Sequence, residues 1–181
     1  TVVLSGGTLN ATATQALVNG ITYQNTNVDQ PTAGNRVFTL TQVKDSGGVA
    51  NSGVDTTTLS VASTVAVATV NDAPTLTATA ANPTFTEGLG AGVQGAAVSV
   101  FSGAAASTVE TGQTITGLTF TVSGLVDGAN ETIVVDGKTI ALGSSSSGTT
   151  TTNTLSYTVT VARGTATVVL TGGTLSAAST Q

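Results

Sequence analysis

The sequence contains no cysteine, no histidine, no methionine and no tryptophan. Without cysteine there can be no disulfide, no thiolate metal site and no thiol nucleophile. Without histidine the usual general base at neutral pH is missing. Charge is scarce as well: Asp, Glu, Lys and Arg make up 7% of the chain, against roughly 25% in an ordinary domain. The four basic residues, Arg36, Lys44, Lys138 and Arg163, are scattered, and the net charge is −5. Nucleic acid therefore has no electrostatic footprint to bind, and an anionic membrane surface has nothing to hold. Four Phe and two Tyr are too few to line a sugar cleft. No apolar run approaches the ~18–20 residues needed to span a bilayer, and no signal peptide is visible. The expectation is a protein that is not an enzyme, binds no nucleic acid and does not insert into a membrane.

What the chain has in quantity is threonine, 39 residues of 181, with 22 glycines and many Val, Ala and Ser. Thr and Val are stiff at χ1 and suit a pleated surface better than a helix. Glycine at this density supplies turns. Low charge with 39% hydrophobic residues is also the wrong balance for disorder. Composition alone gives an all-β fold.

A repeat sets the organisation. Residues 1–15 read TVVLSGGTLNATATQ and residues 167–181 read TVVLTGGTLSAASTQ, identical at eleven of fifteen positions without a gap. The implied period is 166 residues, too long for a solenoid unit of ~20–50 residues and right for a whole domain in tandem. The chain starts mid-pattern at Thr1, which reads as a piece of something longer. A boundary is expected at Val70-Asn71-Asp72-Ala73-Pro74, where a period-two run ends and Pro74 breaks the ladder. Residues 1–70 then form the C-terminal part of one repeat, 71–74 a linker, and 75–181 the N-terminal part of the next.

Strands are expected at Val37–Val43 and along TLSVASTVAVATV, where Leu59, Val61, Val65 and Val67 share a face. Leu118, Phe120 and Val122 alternate with polar residues, as do Leu155, Tyr157, Val159 and Val161. Thr132–Val135 and Thr139–Leu142 flank Asp136-Gly137, a type I′ hairpin signal. AAVSVF after Gly95 reads as a strand, ITYQN as another with Ile21 and Tyr23 inward, and GSSSSGTTTTN at 143–153 as a loop. One helix is expected from Asn10 as N-cap to Gly20 as C′ residue, with Ala13, Ala16 and Leu17 buried. Its counterpart would start near Ser176. Gly90, Gly92 and Gly95 match GxGxxG, but the strand-then-helix setting that a dinucleotide site needs is absent.

Three segments carry a likeness to a known family. ALVNGITYQNTNVDQPTAGNRVFTLTQVKDSGG supplies a short helix, a Tyr-Asn segment and an Asp-containing loop; TTTLSVASTVAVATVNDAPTLT ends in VNDAP; FTEG, Phe85 to Gly88, is an early Glu motif. Together they resemble the cadherin-like β-sandwich tandem repeats of giant bacterial surface adhesins of the RTX type. The resemblance implies an Ig/cadherin-like antiparallel sandwich with one short helix, located outside the cell on a bacterial surface. It implies linker calcium, about one Ca²⁺ per junction, held by Asp72 and Asn71 with Glu87 from the following domain. Asp45 would face the preceding linker and serve a different junction. The chain departs from the family in having nine carboxylates in all, whereas a full Ca²⁺ shell takes 6–8 oxygens; backbone carbonyls and water would have to complete it.

The function this implies is a structural extender that holds a distal binding domain away from the cell, its partners being neighbouring repeats of the same protein. The alternative is a subunit of a self-assembling extracellular fibre or sheath, in which strands of residues 1–70 of one chain complete residues 75–181 of the next. A glycan- or ice-binding module is a third class; regular TxT rows at fixed spacing are missing from the sequence.

Overall fold

The structure is a computed structural model and describes residues 1–175, with side chains described as far as Gly173. The helix expected near Ser176 lies outside the described residues. The fold is all-β: antiparallel sheets with one short α-helix. The chain divides into two compact units, Thr1–Val70 and Asn71–Gln181.

In the first unit, α1 spans Ala11–Asn19. Asn10 caps it as expected, its side-chain oxygen accepting the Ala13 amide at 2.8 Å. Gly20 does not take the left-handed C′ conformation; its φ is −85° and its amide closes back on Ala16 and Leu17. The expected buried stripe is also corrected. No residue of α1 is buried, and Leu17 is 43% exposed. The segment ITYQN is not a strand either, because it finds no ladder partner among the described residues. Ile21 is exposed, and the Tyr23 ring instead meets Phe38 edge-on at 5.8 Å.

Two long strands come next, β1 (Gly34–Lys44) and β2 (Thr56–Val67), paired antiparallel with a bulge between Leu40 and Gln42. The register sets Arg36 opposite Val65, Phe38 opposite Ser63 and Leu40 opposite Val61. That puts Phe38 and Leu40 on the face that carries Val61 and Val65. The face is apolar yet open: among the described residues, none between 1 and 70 is buried. A two-stranded ribbon has one sheet and nothing to lay on it.

The second unit begins with β3 (Thr75–Ala80) paired with β4 (Phe101–Ser107). The expected strand AAVSVF is thus shifted, since the ladder starts only at Phe101. Between them, residues 85–95 form a tight loop. A Cβ on Gly95 would lie 2.1 Å from the Thr86 carbonyl oxygen. These glycines serve the loop's own close packing.

The main sheet contains β5 (Ile115–Ser123), β8 (Ser146–Thr149), β9 (Ser156–Ala162) and β10 (Thr165–Leu175), in the order β5-β10-β9-β8. A hairpin of β6 (Thr132–Val135) and β7 (Lys138–Ala141) completes the unit. Its turn is type I′ as expected, with φ of 48° at Asp136 and 74° at Gly137. The presence of β8 corrects the loop expected at 143–153. Gly148 stands opposite Tyr157, and a Cβ there would come within 2.9 Å of the Tyr ring. Glycine lets that edge strand lie close over the ring.

The core is small and lies between this sheet and the hairpin. Ile140, Leu142, Tyr157, Val159, Ala166, Val168 and Leu170 form it, with Phe120, Val122, Ile133 and Val135 packed around. Tyr157 and Val159 of β9 and Ala166, Val168 and Leu170 of β10 are buried at every second position, the period-two pattern of a sheet with one covered face. The opposite face is hydroxyl-rich: Thr121, Thr167 and Thr160 stand side by side across β5, β10 and β9. Such a row runs across strands, so no TxT pattern along the chain reveals it.

Candidate functional site

The candidate site is the junction at the start of the second unit. Pairing of Thr75 with Ser107 brings the head of β3 and the tail of β4 to one end of their ribbon. The linker residues before Thr75 and the segment after Ser107 therefore meet. There the Asp72 amide donates to Glu110 Oε1 at 2.5 Å, and Gln113 Nε2 donates to Asn71 Oδ1 at 2.6 Å. Asn71 Nδ2 donates to the Asp72 carbonyl oxygen at 3.1 Å.

A tight turn aims Glu110 at the linker. The Glu110 amide donates to the Thr108 carbonyl oxygen at 2.8 Å, closing a three-residue γ-turn around Val109. Val109 has φ of 68°, a region that a β-branched residue occupies only under strain. The strain is held by the paired ends of β3 and β4 and by the Ser107 hydroxyl, which accepts the Val109 amide at 3.0 Å. Strained backbone of this kind collects where a side chain must be placed.

The second oxygen of Glu110 is the unusual atom. Oε2 is buried and has no hydrogen-bond donor among the described residues. A buried carboxylate oxygen left without a partner costs free energy, about 1–3 kcal/mol or more for a charged group. A hard cation would satisfy it. Glu110 Oε2 and the linker's carbonyl oxygens are the kind of ligand calcium takes, and in that respect they fit the ion; the Asp72 contact to Glu110 is made by its backbone amide. Among the described residues no three His, Cys, Asp or Glu side chains come together, so carbonyls and water would supply most of the oxygens.

The other sequence-derived ligands stand elsewhere. Glu87 is exposed in the 85–95 loop, and no hydrogen bond links it to Asn71 or Asp72 among the described residues. Asp45 belongs to the first unit, where its Oδ1 accepts the Gly47 amide at 2.8 Å in an Asx-type turn. Beside it the Asp45 amide donates to the Asp55 carbonyl oxygen, and Lys44 Nζ lies 3.1 Å from Asp55 Oδ2. The Thr56 hydroxyl, and then Lys44, hold the Asp55 carboxyl below the usual range.

Asp127, Glu131 and Asp136 do not converge. Glu131 Oε2 accepts the Val126 and Asp127 amides at 2.9 Å each, while Asp136 binds Thr150 and Asn153. Nothing in the sequence around Glu110 or Gln113 singles either residue out. Both lie some 40 positions from their partners, and no local pattern marks so distant a pairing.

Compared with family models, curated proteins and solved structures, the chain finds no match in any of the three.

Proposed function

We propose that this chain is a stretch of a tandem-repeat β-protein that acts as a structural extender on a bacterial surface, outside the cell, rather than as an enzyme. One observation carries the reading. The segment TVVL-x-GGTL occurs twice, in two opposite environments. At 167–175 it belongs to an inner strand of a sheet, with Val168 fully buried. At 1–9 it forms no strand, and Val2 is 88% exposed. A segment with the sequence of an inner strand needs neighbours on both edges, and a repeat array supplies them. The exposed face of β1–β2 supports the same reading, because half of a sandwich is complete only with its other half.

In this reading the linker is the stiffening element. Pro74 limits the exit from the junction, and calcium held by Asp72 and Glu110 would bind the linker to the tail of β4. Asn71 and Gln113 would orient the two sides. Glu87 and Asp45 would contribute only through a neighbouring repeat.

Small-angle scattering of the chain with calcium and then with EDTA tests this. The expected result is an elongated particle that becomes more flexible when calcium is removed. A compact particle, identical under both conditions, would overturn the extender.

A further inference from the structure

The duplicated segment also predicts how two chains can join, an inference that rests on the repeat reading above. Residues 1–9 and 167–175 are identical at eight of nine positions. The single difference is Ser5 in place of Thr171, and Thr171 is exposed. In the sheet, Val168 stands opposite Phe120 and Val159, and Leu170 stands opposite Leu118 and Tyr157. The matching residues are Val2 and Leu4, which are 88% and 70% exposed. Val3 matches Val169, which stands opposite Thr119 on one side and Thr158 on the other.

We infer that residues 1–9 are a second β10 strand, able to take the slot between β5 and β9 of another copy of this chain in place of that copy's residues 167–175. Within the slot the exchange is close to neutral. From 167 to 173 the same side chains fill the same positions, and one exposed hydroxyl differs by a methyl group. Exchange of an identical element between protomers is a low-cost route to association.

The driving force comes from the chain beyond residue 9. Helix α1, the segment after it and the β1–β2 ribbon continue from it, and they carry the exposed Leu17, Ile21, Phe38 and Val61. With residues 1–9 in the slot, chain continuity delivers this apolar surface to the acceptor's second unit. Residues 10–70 then stand where a repeat of period 166 would place the residues after β10. Each chain has one slot and one donor, and the two lie on different parts of it. The contact is head-to-tail, between different parts of the two chains. β10 is paired on both edges, so exchange on native chains is slow, and unfolding followed by joint refolding gives both donors equal access.

The chain has no cysteine, so introduced thiols report the register without ambiguity. One chain carries Val3→Cys and a size tag; the other carries Thr119→Cys. Both positions are exposed, so neither substitution disturbs the core. After joint refolding from urea and mild oxidation, a disulfide-linked heterodimer is expected. Replacing the second chain by Ser123→Cys should lose that product, because Ser123 pairs with Thr165, which has no counterpart in residues 1–9. Adding Val2→Asp to the donor should also abolish it without altering the donor's circular dichroism, since Val2 is exposed when unpaired. Equal cross-linking at Thr119 and Ser123, or none at either, overturns the exchange. A particle that still stiffens with calcium in the scattering experiment would then keep the extender and remove only the exchange.

Discussion

Asp136 and Thr150 are joined side chain to side chain: Thr150 Oγ1 donates to Asp136 Oδ2 at 2.5 Å across 14 positions of the chain. The same carboxylate accepts the Asn153 amide at 2.9 Å and Asn153 Nδ2 at 2.6 Å. The turn of β6–β7 is thereby tied to the segment leading into β9. The Thr150 hydroxyl bond, followed by the Asn153 amide, holds the Asp136 carboxyl below its ordinary value of 3.8. A carboxyl with a depressed folded pKa binds its proton more readily in the unfolded chain. Its stabilisation is complete above the ordinary value and disappears as pH falls through the lower folded value. Melting curves of the protein and of Asp136→Asn should therefore differ at neutral pH and converge in acid. A gap that widens as pH falls would contradict this assignment.

Thr150 itself is buried, 3% exposed, and its hydroxyl also accepts the Leu155 amide at 2.9 Å. Thr150→Val keeps the volume and leaves that amide without its acceptor. The expected cost is about 1–3 kcal/mol, measured by urea denaturation of the purified chain.

Ile140 and Val134 lie on the same hairpin but on opposite faces. Ile140 is 2% exposed and Val134 is 65% exposed. Ile140→Ala should cost about 2–5 kcal/mol, from lost burial and the cavity left behind. Val134→Ala should stay within about 0.5 kcal/mol. Equal losses at the two positions would mean that the hairpin's exposed face is covered in solution.

Asn10 supplies the side-chain acceptor at the start of α1. Asn10→Ala should weaken the helix by about 1 kcal/mol, read as reduced ellipticity at 222 nm. Because no residue of α1 is buried, the unfolding of the second unit should not shift.

Glu110→Gln keeps an oxygen for the Asp72 amide and removes the charge. Calcium at about 100 times its dissociation constant should stabilise the native chain by about 2.7 kcal/mol. The variant should show little of that shift in thermal melts. A full calcium response in Glu110→Gln would move the ion away from this junction.

Much of the local structure was legible in the sequence because its causes are local. Alternating side chains marked β1, β2, β5 and β9, since successive side chains of a strand point to opposite faces. Asp136-Gly137 fixed a type I′ turn because both residues tolerate positive φ. Asn10 capped its helix because its acceptor needs only the next turn of backbone. The errors share the opposite cause. Ile21 and Tyr23 had a strand's pattern and no strand to pair with, while β8 had a loop's composition and a partner in β9. The placement of Glu110 beside Asp72 depended on a strained turn at Val109 and on the register of β3 with β4.

By itself, the sequence determined that the polypeptide forms antiparallel strands and that one nine-residue segment is written twice. The tertiary structure alone decided that Val168 is buried and Val2 exposed. The two residues share their neighbours along the chain but not across it, and burial is conferred by the strands on either side.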